Sequence, residues 1–408
     1  MRHVEEHLAE CLAAVSPLPA LDVALLDALD CVLAEDVESP IALPTFDNSS
    51  MDGYAVVADD VVAAGPEAPK VLPVVADIPA GFAEPLRLLP GTAARIMTGA
   101  PMPFGADTVI PVEWTDAGVA AVQLYRPGVP GQFVRRAGED VSAGETVARA
   151  GVRLTPRHLA LLAAVGRNRV LVHPRPRVVV ISTGSELVAP GRPLPPGGVY
   201  DSNGPGLTAA ALELGAEARH VGIVDDDPNT VLEMLEDQLT RADLLITSGG
   251  VSAGAYDAVK AVLSRLGTVR FERVAMQPGM PQGFGTIGPD NTPIFTLPGN
   301  PVSSMVSFEV FVRPVLRKMW GEIALHRQLV QAAVSQGWAS PAGKRQFVRA
   351  ALERREDGHT TVRPVGGHGS HLVADLADAA CLAVVPEEVT EVKPGDVLSC
   401  MLLDRSRQ

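Results

Sequence analysis

The chain reads as a multidomain α/β protein: a central three-layer α/β/α domain with a mainly parallel sheet, an inserted small β domain, a helical N-terminal domain and a C-terminal β domain. Three observations predict this. Between residues 174 and 322, short apolar runs alternate with segments whose apolar residues recur at helical spacing, the pattern of a parallel sheet with right-handed crossovers and helices on both faces. On either side of that unit, from Ile41 to about Arg136 and again beyond Gly321, the texture shortens to apolar stretches punctuated by Gly and Pro. At 408 residues the chain also exceeds one ordinary core, at roughly 100 to 200 residues per domain. The expected boundaries are 1–44 with 137–173 for the discontinuous N-terminal domain, 45–136 for the inserted domain, 174–322 for the α/β domain and 323–408 for the last.

Taken in order, Val4, Leu8, Leu12 and Val15 fall on one helical face, and a second apolar series from Leu21 to Leu33 extends the helical reading until Pro40 and Pro44. Val71–Val75 and Asp107–Pro111 read as strands. Thr155 followed by Pro156 is an N-cap with Pro at the first helical position, opening a helix that Gly166 stops and that is expected to pack beside the N-terminal one. Arg177–Ile181, Val221–Val224, Asp243–Thr247 and Ile294–Leu297 are the strands of the central sheet. Between them come a helix capped by Asn203 and ended by Gly215, a helix after Pro228, a helix from Tyr256 to Gly267 and a long helix carrying Met305, Phe308, Val312, Val315 and Met319. Gln346–Ala350, Ala380–Val385 and Asp396–Leu402 supply the terminal β domain.

Composition narrows the function. A hydrophobic fraction of 47% with 20% charged residues is globular, and no apolar run reaches the roughly 18 to 20 residues that span a bilayer. The charged start, Met1–Leu8, is unlike a secretory leader, so the expected location is cytoplasmic. Cys11, Cys31, Cys381 and Cys400 form no Cys-x-x-Cys pair and read as reduced, buried thiols. A net charge of −14 repels polyanions, which argues against nucleic-acid and membrane-surface roles. A small anion must then be held by oriented backbone dipoles and local groups.

One stretch has the chemistry to do that. In Asp243–Asp257 a continuous apolar run, expected of a strand covered on both faces, enters Ser248-Gly249-Gly250, where two glycines permit positive φ and close ligand approach. Ser248 and Ser252 add hydroxyls, and the helix that follows turns its positive end toward the loop. In open α/β sheets, ligands lie at the carboxyl ends of the strands, where Thr183, Glu186, Asp226, Ser248 and Asn300 are expected to gather. Taken singly, these residues have plainer roles: Asp47 and Asp52 as turn formers, Asp225–Asp227 as a helix cap, Pro298-Gly-Asn-Pro301 as a strand exit. His158, His220 and His368 stand at no metal-ligand spacing.

Together the segments resemble the molybdopterin molybdenumtransferases, the family of bacterial MoeA and the gephyrin E domain. The resemblance lies in Asp47–Val56, Ile96–Pro101, Ile181–Leu187, Asp226–Pro228, Ser248–Ser252 and Leu297–Ser303, with Gly366–His371 fitting the terminal domain. It implies a homodimer that inserts molybdenum from molybdate into adenylylated molybdopterin with release of AMP, with Mg2+ required and a molybdopterin adenylyltransferase as pathway partner. By position it implies that Ser248, Gly249 and Gly250 hold the phosphate part of the ligand and that Asp226 and Asp257 face the nucleotide and Mg2+. Asp52, Thr98 and Glu186 match cleft residues, Asp52 reaching in from the partner subunit; Thr183, Gly184, Pro298, Asn300 and Pro301 match the binding turns, and Ser252, Arg345 and Ser370 the molybdate cradle. Two positions depart from the pattern: Gln277-Pro-Gly-Met280 stands where many relatives carry lysines, and Ser185 where they often carry Asp. A neutral amide removes a point charge from an oxyanion site, so the alternative to an enzyme is a catalytically degenerate molybdopterin-binding scaffold or carrier, with a nucleotide hydrolase as a weaker third reading.

Overall fold

The computed structural model describes residues 1–81, 84–225, 227–250, 258–266, 268–355 and 358–403. Its centre is a six-stranded sheet in the order Glu217–Val224, Arg177–Thr183, Leu244–Ser248, Thr292–Leu297, Pro281–Ile287, Arg270–Arg273. The first four strands are mutually parallel and the last two antiparallel. The apolar run 244–246 divides between two cores, as a strand's alternation requires. Leu244 and Ile246 pack with Val178, Val180 and Leu207, while Leu245 packs with Val179, Val231 and Val259. All three leucine and isoleucine side chains are fully buried, at roughly 1.5 to 3 kcal/mol each.

Helices cover both faces. Asn203–Leu214, ended by Gly215 at φ 102°, and the long element from Pro301 to Met319 lie on one face. Pro228–Leu239 and Ala258–Leu266 lie on the other. Asp227 caps the Pro228 helix by accepting the Thr230 N–H at 2.9 Å. The long element is α-helical to Ser307, widens to a π turn over Phe308–Val312, and is α-helical again from Arg313. Pro314 cannot donate to a carbonyl one turn back, and the wide turn just before it absorbs that loss.

The antiparallel hairpin Arg270–Arg273 with Pro281–Ile287 is absent from the sequence reading because Gly283 and Gly285 lower strand propensity. Packing explains them: a Cβ at Gly283 would stand 2.9 Å from the Phe271 ring, and one at Gly285 2.3 Å from the Thr268 carbonyl oxygen.

The N-terminal region corrects two expectations. The helix Val4–Ala13 forms, but it packs on the last helix of the α/β unit, with Val4, Cys11 and Val15 in that core and the His7 ring 4.8 Å from Phe311, edge to face. It does not join Pro156–Ala164, which packs on the Leu25–Ala28 turn. The series from Leu21 to Leu33 is not helical. Leu21–Ala24 and Val32–Leu33 flank Arg169–His173 in a three-stranded sheet. Pro17 and Pro19 separate the series from the helix, and its true partner lies far along the chain, so local periodicity misled.

Residues from Gly53 to Leu124 form a five-stranded sheet, order Thr108–Pro111, Gly53–Val56, Ala93–Ile96, Lys70–Ile78, Ala121–Leu124. The C-terminal sheet runs Met276–Gln277, Arg345–Arg354, Thr360–Pro364, Leu329–Val334, Val397–Leu402, Cys381–Val385, and Arg345–Arg354 also pairs with Cys381–Val385, closing it into a barrel. Met276–Gln277, contributed by the α/β segment, joins that barrel at Arg345 and Gln346. All four cysteines are buried. Among the described residues, no helix is long and apolar enough to cross a membrane.

Glu309 sits inside the π turn between two buried arginines, 2.6 Å from Arg313 Nε and 2.5 Å from Arg327 Nε. Burial alone would raise its carboxyl, but the Arg327 hydrogen bond and the two guanidinium charges outweigh it and hold the group below its usual 4.5. Its stabilising contribution is therefore complete above pH 4.5 and is lost as pH falls below that value. Glu309→Gln, which leaves the two buried cations only the more exposed Glu213 carboxylate, 4.0 Å from Arg313 and 3.8 Å from Arg327, should lower unfolding free energy by about 3 kcal/mol in urea titrations at pH 7, with a smaller deficit in acid.

Candidate functional site

The carboxyl ends of the four parallel strands bring together Thr183, Val224, Ser248 and Leu297. Thr183 Oγ1 donates to the Ser248 carbonyl at 3.2 Å, and the Gly249 N–H donates to the Leu297 carbonyl at 3.0 Å. That second bond corrects one expectation, since the Gly249 amide is already paired within the protein. What Gly249 supplies is room and conformation: its φ is 97°, and a Cβ there would lie 2.7 Å from the Thr183 carbonyl oxygen. Gly250 continues the turn at φ 80°.

The neighbouring turns close around this point. Gly184, at φ 149°, donates to the Val224 carbonyl at 3.4 Å, and Glu186 folds back until its carboxylate would lie 2.7 Å from a Cβ at Gly184. Asn203, in the first turn of its helix, donates from Nδ2 to Ser248 Oγ and to the Gly299 carbonyl, both at 2.7 Å. Asn300 is the N-cap of the next helix with Pro301 at N1; its side chain makes no capping bond and is exposed, while Pro298 is buried. The Val302 N–H, one residue on, donates to the Ser370 carbonyl at 3.1 Å, which seats the loop 366–372 of the C-terminal domain on this helix start.

Two residues that sequence reasoning missed hold these pieces. Arg349 donates to the Leu372 carbonyl at 2.7 Å and also to the Gly367 carbonyl, fixing the Ser370 loop to the strand Arg345–Arg354. Asn203 had only a capping signal, because its two acceptors are distant in sequence. Behind it, Asp201 accepts the Gly204 N–H at 2.9 Å, and His220 Nε2 lies 3.4 Å from Asp201 Oδ2 and 3.1 Å from Ser182 Oγ. The His220 ring thus supports a helix start rather than a metal.

Arg345 is occupied: its guanidinium pairs with Glu5 of the N-terminal helix and lies 3.2 Å from Glu387. Gln277, paired with Gln346 one step along the strand from Arg345, borders a small hollow with Val302, Arg349 and His368. Met280 faces Arg273, Nη2 to Sδ 3.4 Å. Asp52 and Thr98 form a separate pair on the five-stranded sheet. Both the Thr98 N–H, at 2.7 Å, and its hydroxyl, at 2.8 Å, donate to Asp52 Oδ1. These two bonds, the backbone one first, hold the exposed carboxyl below its ordinary range. No hydrogen bond of that carboxylate reaches the Ser248 turn within one chain. Asp226, Ser252 and Asp257 lie outside the described residues, and among the described ones no group of three His, Cys, Asp or Glu is assembled to hold a metal.

Residues 2–166 match the family description "MoeA N-terminal region (domain I and II)", residues 179–318 "Probable molybdopterin binding domain" and residues 331–403 "MoeA C-terminal region (domain IV)". Molybdopterin molybdenumtransferase 2 of Mycobacterium tuberculosis is 48% identical over 98% of both chains, and the molybdopterin molybdenumtransferase of a Nostoc species is 39% identical over 91% of this chain and 86% of its own. A crystal structure of the molybdopterin biosynthesis MoeA protein from Pyrococcus horikosii superposes with a TM-score of 0.83 at 32% identity, covering 98% of this chain and 99% of that one.

The Gly249 geometry makes a direct test. Gly249→Ala should cost about 2 kcal/mol through the left-handed backbone and the Thr183 contact, measured by urea unfolding. Gly299→Ala, whose Cβ would meet nothing closer than 3.8 Å, should cost under about 0.5 kcal/mol.

Proposed function

The chain belongs to the MoeA family of molybdopterin molybdenumtransferases, and on that premise we propose how its site performs the transfer. It is a transferase of molybdenum-cofactor synthesis that moves molybdenum onto molybdopterin. The finer reading is that the pterin arrives adenylylated, from a molybdopterin adenylyltransferase, and that AMP leaves as molybdate is taken up. The enzyme works in the cytoplasm as a homodimer, over the four-part domain division set out above except that the helix Val4–Ala13 belongs with the α/β domain.

The observation that carries this reading is the Ser248 turn, held at the sheet's carboxyl edge by Thr183, Asn203 and Leu297, with the C-terminal domain's Ser370 loop docked beside it. Ser248 and Gly250 face the phosphate part of the ligand, with Gly249 letting it approach the backbone. Thr183, Gly184, Pro298, Asn300 and Pro301 shape the walls, and Glu186 stands at the mouth. Asp226 and Asp257 would hold Mg2+, a hard cation that takes carboxylates together with phosphate oxygens and would supply charge neutralisation there. Asp52, oriented by Thr98, meets the site from the partner subunit. Ser252, Ser370 and Arg345 face molybdate, with Arg345 tempered by Glu5 and Glu387. Catalysis on this reading is positioning and charge stabilisation, without a covalent intermediate on the protein.

A second reading, a molybdopterin-binding scaffold without turnover, draws on Gln277 and Met280, which place no ammonium at the Arg349 hollow, and on the neutralised Arg345. One assay separates the two. Purified protein given adenylylated molybdopterin, molybdate and Mg2+ under anaerobic conditions should release AMP in step with molybdenum incorporation. Ligand binding with no AMP would favour the scaffold, and AMP without incorporation a hydrolase. Gln277→Lys should change the KM for molybdate less than about threefold in an active enzyme; a gain of more than about tenfold, near 1.4 kcal/mol, would mark the native site as degenerate.

A further inference from the structure

Asn203 is bonded to two turns at once. Its side-chain amide has one nitrogen and one oxygen, and the Gly299 carbonyl, which can only accept, stands 2.7 Å from the nitrogen. Placing the amide oxygen there would set two acceptors against each other, so Gly299 fixes which way the amide faces. The same nitrogen is then the atom 2.7 Å from Ser248 Oγ. An amide nitrogen donates and does not accept, so Ser248 Oγ is the acceptor of that bond and its own hydrogen is left for another partner. Asn203 Oδ1, buried and without a hydrogen-bond partner, offers Ser248 no alternative.

The base of this arrangement is rigid. Asp201 holds the Gly204 N–H, His220 lies against Asp201 and Ser182, and Gly204 has no room for a Cβ, which would stand 2.4 Å from His220 Nε2. The helix start that carries Asn203 is therefore tied to two sheet strands.

We propose that Asn203 is a positioning residue for the transfer: by donating to Ser248 Oγ it turns the Ser248 hydroxyl into a dedicated donor toward a phosphate oxygen of the adenylylated pterin, and by donating to Gly299 it locks the turns of two strands in register. This rests on the reading of the Ser248 turn as the phosphate-holding turn. Asn203 acts through Ser248 and need not touch the ligand.

A double-substitution cycle in the full-length protein tests it, reading the dissociation constants of adenylylated molybdopterin and of molybdate, each measured anaerobically, with melting temperature as the control. Ser248→Ala should weaken adenylylated molybdopterin about tenfold, the worth of one charge-assisted hydrogen bond. Asn203→Ala should do the same, with molybdate affinity unchanged, and the double substitution should be no worse than about tenfold, because the second change removes nothing that the first left in place. Asn203→Ser, whose short hydroxyl cannot span both turns, should reproduce Asn203→Ala and serves if the alanine variant folds poorly. Losses that multiply to about a hundredfold in the double variant would overturn the inference alone, as would equal losses in both affinities with a lowered melting temperature. Ser248→Ala without effect would overturn the phosphate reading of the turn along with it.

Discussion

The Leu244–Ser248 strand is hydrogen-bonded along both edges and buried on both faces, and the position of every group at the site is referred to its end. Moving Ser248 would break ladder bonds to the Val178–Ser182 segment or to Ile294–Leu297, and would open one of two apolar cores. The turn beyond it, with two successive glycines at the positive φ that only glycine adopts without strain, is therefore anchored at a fixed point. A donor held this firmly costs little to orient when a ligand arrives, which is where a positioning enzyme gains its advantage over solution.

A net charge of −14 makes the capture of an anion a local matter. Two arginines of the barrel are committed within the protein: Arg345 to Glu5 and Glu387, Arg349 to two loop carbonyls. Those pairings build the framework, joining the N-terminal helix to the barrel and the barrel loop to the helix at Pro301. On the proposed function, recognition falls mainly to hydroxyls and peptide dipoles, which are effective at short range and do not raise the affinity of the whole surface for polyanions.

Two joints couple the terminal barrel to the α/β unit. Met276–Gln277 extends the barrel sheet at Arg345–Gln346, and the Val302 N–H meets the Ser370 carbonyl. Both lie beside the Asn300 turn, so the barrel cannot shift without moving the wall of the site. Gln277 falls at one of these joints, where its backbone pairs with Gln346 and its side chain borders the same hollow as Arg349.

The alternation of buried runs and helical spacing was enough to place the four parallel strands, their glycine turns and the caps at Thr155 and within Asp225–Asp227, because each depends on residues within one or two turns of chain; the cap expected at Asn203 falls one residue earlier, at Ser202. The gathering of Thr183, Ser248 and the Pro298 turn followed from the rule that parallel strands end on the same side. The sequence could not reveal that Leu21–Ala24 and Val32–Leu33 would be strands, since their partner Arg169–His173 is more than a hundred residues away. Nor could it show that the first helix belongs to the α/β core, that Gly249 has its amide already paired, or that Arg345 faces two carboxylates while Arg349 holds the loop. Those outcomes depend on which donors meet which acceptors across distant segments, and only the folded chain decides that.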